Sequence, residues 1–229
     1  VGIGFTDMQR YDRYTALVEY EFAPVNKLGL EVELPVTIYL PQQGLHKDSV
    51  PSNRIESFKL AAQYSFFVSE RWKTTLAVGY INEVELADLR DWGKINFFKG
   101  NLFNPFLIAA KRWGTRFHTL IYTGPRFLLE FDDLSLHFNY ELHTNLHYML
   151  PGTRNFIGLE VNKYFHPGSF DMVLRPQMRI GLADNFLVGV VTGIPIDRSQ
   201  ERLSVFMRLI YEPGHRHMSR KLKKSSTKH

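Results

Sequence analysis

Apolar and polar positions alternate along most of the chain, and the segment 135–150, SLHFNYELHTNLHYML, shows this most clearly. From position 136 to 150 every even residue is apolar or aromatic except Thr144, and every odd residue from 137 to 147 is polar. A period of two is typical of a β-strand that has one face in an apolar environment and the other in a polar one. The same pattern occurs in segments 13–22, 28–40, 55–68 and 170–182.

The pattern predicts an all-β chain of about 12 strands, and no stretch has a convincing helical period. The predicted strands are 1–6, 13–22, 28–40, 55–68, 71–84, 104–112, 116–129, 135–149, 154–164, 170–182, 186–196 and 202–212. Five connections are tight (23–26, 69–71, 112–116, 151–154 and 183–185), and those between them are more variable and often longer, such as 40–53 and 85–101. Short turns at one end and longer loops at the other are typical of a transmembrane β-barrel with periplasmic turns.

A soluble β-sandwich also alternates apolar and polar residues, and strand length distinguishes it from a membrane barrel. Sandwich strands usually have about 5–6 residues, whereas many runs here reach about 10, the length that a tilted membrane strand needs. Large aromatic residues lie on the apolar face near the tight turns, as in an interfacial girdle: Tyr20, Phe22, Phe66, Trp72, Trp113, Phe117, Tyr148 and Phe186. We therefore predict an antiparallel up-and-down transmembrane barrel whose apolar face contacts outer-membrane lipid.

Five prolines fall inside the predicted strands, namely Pro35, Pro105, Pro125, Pro176 and Pro195. Proline has no amide hydrogen to donate to a neighbouring strand. Each proline is therefore expected at a bulge or at a place where strand pairing is interrupted.

The positive net charge of +5 comes from one end of the chain. Residues 214–229 contain six Lys or Arg and no acidic residue, and the rest of the chain has 22 basic against 23 acidic residues. The sequence therefore predicts a barrel over 1–213 and a basic, flexible periplasmic tail over 214–229. No basic face interleaved with aromatic residues occurs in the barrel, which argues against nucleic-acid binding. The absence of cysteine agrees with an oxidising compartment.

Several blocks of the sequence resemble the HAEPLYID family of outer-membrane β-barrel proteins from Gram-negative bacteria. They are YEFAPVNKLGLEVELPVT, PSNRIESFKLAAQ, GYINEVE, NPFLIAAKRWG, FHTLIYTGPR, HYMLPGTRNFIG, RPQMRI and LIYEPG, and they span most of residues 14–214. The resemblance implies an outer-membrane barrel and supplies no catalytic residues.

Alternation also predicts which charged residues face the lumen. The predicted acidic lumen residues are Glu19, Glu21, Glu31, Glu33, Glu141, Glu160 and Asp171. The predicted basic and histidine residues are Lys59, Lys73, Lys111, Arg126, His137, His143, His147, Arg175, Arg179 and Arg208. Such residues either pair with one another and plug the lumen or create a transverse field in a narrow pore, and the sequence leaves both open.

The sequence predicts no catalytic set, no metal site and no cofactor. His143 and His147 are four residues apart on one strand face, about 13 Å by strand rise, which is too far for both to bind one ion. No GxSxG motif occurs, and the outward polar residues Thr74, Thr119, Thr144 and Thr192 have no outward histidine at a suitable spacing.

The sequence is compatible with three functions. The first is an outer-membrane barrel with a charged lumen that passes or holds small polar solutes. The second is a closed-lumen structural or accessory subunit that contacts other outer-membrane or periplasmic proteins. The third, a membrane-embedded hydrolase, has no residue set in its favour.

Overall fold

The computed structural model describes residues 1–42, 50–88, 93 and 96–213. Within them thirteen antiparallel strands form one sheet, and the pairing of β2 with β3 closes it into a barrel. The strands are β1 (Gly2–Met8), β2 (Tyr11–Val25), β3 (Leu28–Pro41), β4 (Arg54–Ile55), β5 (Ser57–Ser69), β6 (Thr74–Leu86), β7 (Phe98–Trp113), β8 (Phe117–Glu130), β9 (Leu136–Met149), β10 (Phe156–His166), β11 (Ser169–Ala183), β12 (Phe186–Pro195) and β13 (Glu201–Tyr211). The two-residue β4 pairs only with β3, so twelve long strands form the wall.

The strands follow one another around the wall in chain order, and β13 pairs with β1. This arrangement confirms the prediction of an antiparallel up-and-down barrel of about twelve strands. The turns after β2, β5, β7, β9 and β11 lie at the end that also holds both ends of the barrel sequence, which we call the inner end. Connections at the outer end vary more in length, and two of them have only two residues, 9–10 and 167–168. No helix in the described ranges is long and apolar enough to span a membrane.

The outward face of the barrel is apolar and highly exposed. On β9, for example, Leu136, Phe138 and Leu146 are 63%, 46% and 48% exposed. Seven of the eight aromatic residues predicted for the girdle are also exposed, and the eighth, Tyr148, is half-buried against Phe117 with ring centroids 5.2 Å apart. A closed barrel leaves no strand edge unpaired, so such a face can contact hydrocarbon without exposing backbone polar groups to it.

Strand pairing is interrupted at four of the five prolines, in keeping with their missing amide hydrogen. The pairing of β3 with β5 ends shortly before Pro35, and pairing with β4 begins just after it. The β7–β8 ladder skips the residues around Pro105 and Pro125, and the β11–β12 ladder skips Pro176. In the first of these gaps the Asn104 side chain donates to the carbonyl oxygen of Pro125 at 2.8 Å, which replaces a backbone hydrogen bond. Pro195, at the end of β12, remains paired with Val173.

The predicted basic tail, 214–229, lies outside the described residues, as do parts of the two long outer loops, 43–49, 89–92 and 94–95. The division of the chain at residue 213 therefore stays a prediction.

Candidate functional site: the charged wall of the lumen

Four glutamates from β2 and β3 form an acidic wall on the inward face. Glu19 lies opposite Glu33, and Glu21 lies opposite Glu31, in the pairing of the two strands. The carboxylate oxygens of Glu19, Glu31 and Glu33 lie within 4.8 Å of one another. Like charges directly opposite each other in a sheet repel, so this wall needs neighbouring cations.

Two cations flank the acidic wall. Lys59 on β5 donates a hydrogen bond to Glu33, and both side chains are largely buried, at 27% and 10% exposure. On the other side the Arg208 guanidinium from β13 lies 2.8 Å from the Glu19 carboxylate. In the part of the chain that the structure describes, this glutamate triad is the one acidic or histidine group close enough to share a metal ion. Lys59 and Arg208 already neutralise two of its members.

The wall across the lumen is formed by β8, β9 and β10. In the ring of twelve strands β9 lies six positions from β2 in either direction, so the two strands are opposite. Arg126 donates to Glu141 at 2.9 Å, and His143 lies 3.5 Å from the same carboxylate. The His143 ring sits between Tyr122 and Tyr164, with centroid distances of 5.2 Å to each.

Other predicted acidic residues on this side also have partners along the wall. Glu160 accepts hydrogen bonds from Asn145 at 3.2 Å and from Gln177 at 3.3 Å. Near the outer end Asp171 lies 3.2 Å from His166, and His137 lies 3.4 Å from Glu130. Carboxylates of this wall are therefore held by neighbours on the same or adjacent strands.

A third group, Arg175, Arg179 and Arg208, makes the wall basic along β11 and β13. These arginines border a cavity of about 360 Å³ together with Phe156, Gln177 and Phe206, among others. The strands that carry the acidic and basic groups thus occupy different arcs of the barrel, although Arg208 also contacts the acidic wall.

Two predicted lumen residues have other positions. Lys111 was expected inside, but it shares the outward face of β7 with Leu107 and Trp113, which are 54% and 53% exposed. Its ammonium group donates to the carbonyl oxygen of Trp72 at 3.1 Å and lies 5.0 Å from the Trp113 ring centre. Lys73 was expected inside a strand, but it precedes β6 in the turn, with a φ of 49°, and borders a cavity at the inner end.

Lysine is found on the outward face a second time. Lys163 on β10 pairs in register with the outward residues Leu142 and Met172. Its ammonium group donates to Thr144 at 3.2 Å. A long side chain of this kind can extend along the strand toward the membrane surface.

Three bulky inward side chains lie over glycines of adjacent strands, a feature that sequence alternation did not reveal. The Phe206 ring covers Gly2 and Gly4, where a Cβ at Gly4 would meet the ring at 3.0 Å. Phe106 lies in the same way over Gly79, and His147 lies over Gly158, whereas a Cβ at Gly124 would meet the backbone carbonyl oxygen of Pro105 at 2.2 Å. A Cβ at most of these glycines would overlap the ring, so the glycines let large side chains lie against the wall.

Space remains along the lumen at several heights. A cavity of about 480 Å³ near the outer end is bordered by Arg54, Glu56, Glu83, Glu85 and Lys99, among others. A second, of about 350 Å³, lies beside Tyr122, Glu141 and His143. A third, of about 360 Å³ near the inner end, is bordered by Arg112, His118 and His147.

Comparisons with known proteins agree on the fold. A family model described as HAEPLYID-like matches residues 1–212. An outer membrane channel from Pseudomonas putida F1 is similar in structure, with a TM-score of 0.66 and 10% identity over 92% of each chain. The KdgM porin has a TM-score of 0.61 and 17% identity, and the similarity covers 93% of this chain and 99% of the porin. The same porin in complex with disordered oligogalacturonate has a TM-score of 0.60 and 15% identity over the same shares. None of the curated proteins compared with the chain matches it.

Proposed function

The chain belongs to the HAEPLYID-like family, and from this and the geometry of its barrel we propose that it is an outer-membrane channel for small polar solutes in a Gram-negative bacterium. The exposed apolar face suits a lipid bilayer, and the charged inward face suits water and polar solutes. Structural neighbours described as a porin and as a channel support the same role.

The observation that carries the proposal is how the large inward side chains are arranged. Phe206, Phe106 and His147 rest on glycines, which keeps their rings close to the backbone of the wall. A lumen filled by its own side chains would gain nothing from this arrangement, because protruding rings would fill the space better. We infer that the glycines keep a passage free.

The arrangement of the ion pairs also supports an open lumen. Lys59–Glu33 and Arg126–Glu141 join adjacent strands, and Arg208–Glu19 joins strands that are separated only by β1. Among the described residues no ion pair joins β2 or β3 to β9 or β10 across the lumen. Because these charges are held along the wall, the centre of the lumen is left to solvent. The charges also create a field that orients polar solutes.

The channel can be tested with a substitution that displaces the Phe206 ring from the wall into the lumen. Gly4 is suited to this because a side chain there would meet mainly Phe206 and, at 3.6 Å, the Thr15 side chain rather than backbone atoms. We expect Gly4→Val to lower the single-channel conductance of the purified protein in planar bilayers, because the ring must tilt into the lumen. The double variant Gly4→Val with Phe206→Ala should restore conductance, since the obstructing ring is then absent.

Gly29→Val is the matched control, because a Cβ at Gly29 meets no atom within 4 Å. It should fold and conduct like the native protein. A folded native protein that never conducts would contradict the channel and favour the closed-lumen accessory subunit. Conductance that is unchanged in Gly4→Val would contradict the role given to the glycines.

A further inference from the structure

Arg175, Gln177 and Arg179 follow one another on the inward face of β11. Their Cα atoms span about 13 Å from the first to the last arginine, by strand rise. All three border the cavity of about 360 Å³ that Arg208 closes on the β13 side. Three guanidinium groups and one amide thus surround a space of the size of a small organic solute.

The guanidinium groups of β11 have hydrogen-bond donors without acceptors. Arg175 lies opposite Glu160 in the strand pairing, but Glu160 accepts its hydrogen bonds from Asn145 and Gln177 instead. Within the described residues Arg175 has neither an ion pair nor a hydrogen bond, and its buried Nε lacks an acceptor. Arg179 donates only to the carbonyl oxygen of Arg154, at 3.3 Å, and its Nε is also buried without an acceptor.

Aromatic rings support two of the three guanidinium groups. Arg179 lies 4.8 Å from the ring centre of Phe156, and Arg208 lies 5.9 Å from that of Phe206. Phe206 is itself held on Gly2 and Gly4, so its position is set by the wall. A guanidinium that is held on a ring loses less conformational freedom when it binds a ligand.

The two sides of the lumen differ in how well their charges are matched. On the acidic wall Lys59 and Arg208 offset Glu33 and Glu19. On β11 no acidic side chain of the described residues pairs with Arg175 or Arg179. Both arginines are half-buried. A partly desolvated cation without a partner is costly, and a ligand with negative charge would remove that cost.

We propose that Arg175, Gln177 and Arg179, with Arg208 beside them, bind the carboxylate groups of small organic acids as they pass through the lumen. A planar guanidinium donates two parallel hydrogen bonds to a carboxylate, and the Gln177 amide lies between the two arginines of β11. This inference rests on the proposed channel and names the class of solute. A dicarboxylate can contact more than one of these groups, so glutarate is a suitable probe.

The experiment measures glutarate binding to the purified, folded protein in detergent by calorimetry, with glutaramide as the uncharged counterpart. The native protein should bind glutarate and not glutaramide. Arg175→Gln and Arg179→Gln should each weaken binding about tenfold, because each removes hydrogen bonds from a charged group. Arg198→Gln, which removes the same charge from an exposed position in the β12–β13 connection, should bind glutarate like the native protein.

Current through single channels gives a second readout, which separates this inference from the channel itself. Glutarate should reduce the native current in a concentration-dependent way, and the effect should be lost in Arg175→Gln. A protein that conducts but binds no glutarate overturns the carboxylate site and leaves the channel intact. Binding without conductance overturns the channel and leaves the site. Equal affinity for inorganic phosphate would overturn the assignment to carboxylates.

Discussion

Leu142 and His143 are neighbours in the middle of β9, yet their surroundings differ in kind. Leu142 points outward and pairs in register with Thr123 and Lys163, on the face that carries exposed leucines and aromatic rings. His143 points inward, lies between two tyrosine rings and is 3.5 Å from the Glu141 carboxylate. The outward side chain has to suit a uniformly apolar environment, whereas the inward side chain has to suit particular neighbouring side chains.

This difference has a consequence for substitutions. On the outward face the cost of a residue depends on its polarity and on its depth in the membrane. On the inward face the cost depends on which neighbour loses or gains a partner. The predictions below place similar changes on the two faces or on neighbouring inward residues.

The largest effect is expected for a charge on the outward face. Leu142→Arg should destabilise the folded barrel in lipid by about 2–4 kcal/mol, because a lipid-facing arginine at mid-depth loses its hydration. The nearby Lys163 would add like-charge repulsion. His143→Arg should be tolerated better, since Glu141 is within reach of the new cation. Heat-modifiable mobility in gels measures the folded fraction of each variant, and equal tolerance of the two would contradict the assignment of the faces.

The second effect compares two glutamates of the acidic wall. Glu33→Gln should destabilise the barrel by about 1–3 kcal/mol, because it leaves the largely buried Lys59 without its charged partner. Glu31→Gln should leave stability unchanged or raise it, because it removes one of three carboxylates within 4.8 Å and breaks no ion pair of the described residues. Urea unfolding in lipid vesicles, followed by fluorescence of the three tryptophans, measures both. A larger loss in Glu31→Gln than in Glu33→Gln would show that the ion pair contributes little.

The outward face could be predicted from the sequence because its information is local. All twelve long strands were found, most within about three residues of their bounds, since a period of two within each segment marks both the strand and its apolar face. The exception in length is β7, which begins at Phe98 rather than at 104. Its later part, from Phe106 to Ala110, is apolar on both faces, so alternation there could not show which face contains Lys111.

The inward face could be predicted only as a list of charged residues. Which of them meet depends on how neighbouring strands align, and the sequence of one strand does not contain that alignment. Phe206 and Gly4, for example, are adjacent through the β1–β13 pairing although they are about 200 residues apart. Phe206 lies two residues before Arg208 on the same strand, so the predicted inward position of Arg208 already implied that Phe206 faces inward. Only the register between β1 and β13 shows that glycines lie beneath its ring.

The smallest effect is expected at the residue whose face the sequence did not reveal. Lys111 and Arg112 are consecutive on β7; the first contacts Trp72 and Trp113 on the outside, and the second borders the cavity at the inner end. Replacing Lys111 should cost on the order of 1 kcal/mol, as for one basic residue near a membrane surface. Because the chain has no cysteine, Lys111→Cys and Arg112→Cys can each carry a single spin label. In vesicles the label at 111 should be relaxed more by oxygen dissolved in lipid, and the label at 112 more by a water-soluble nickel chelate. The reverse result would place Lys111 in the lumen, as the sequence pattern first suggested, and would shift the face assignment of this part of β7.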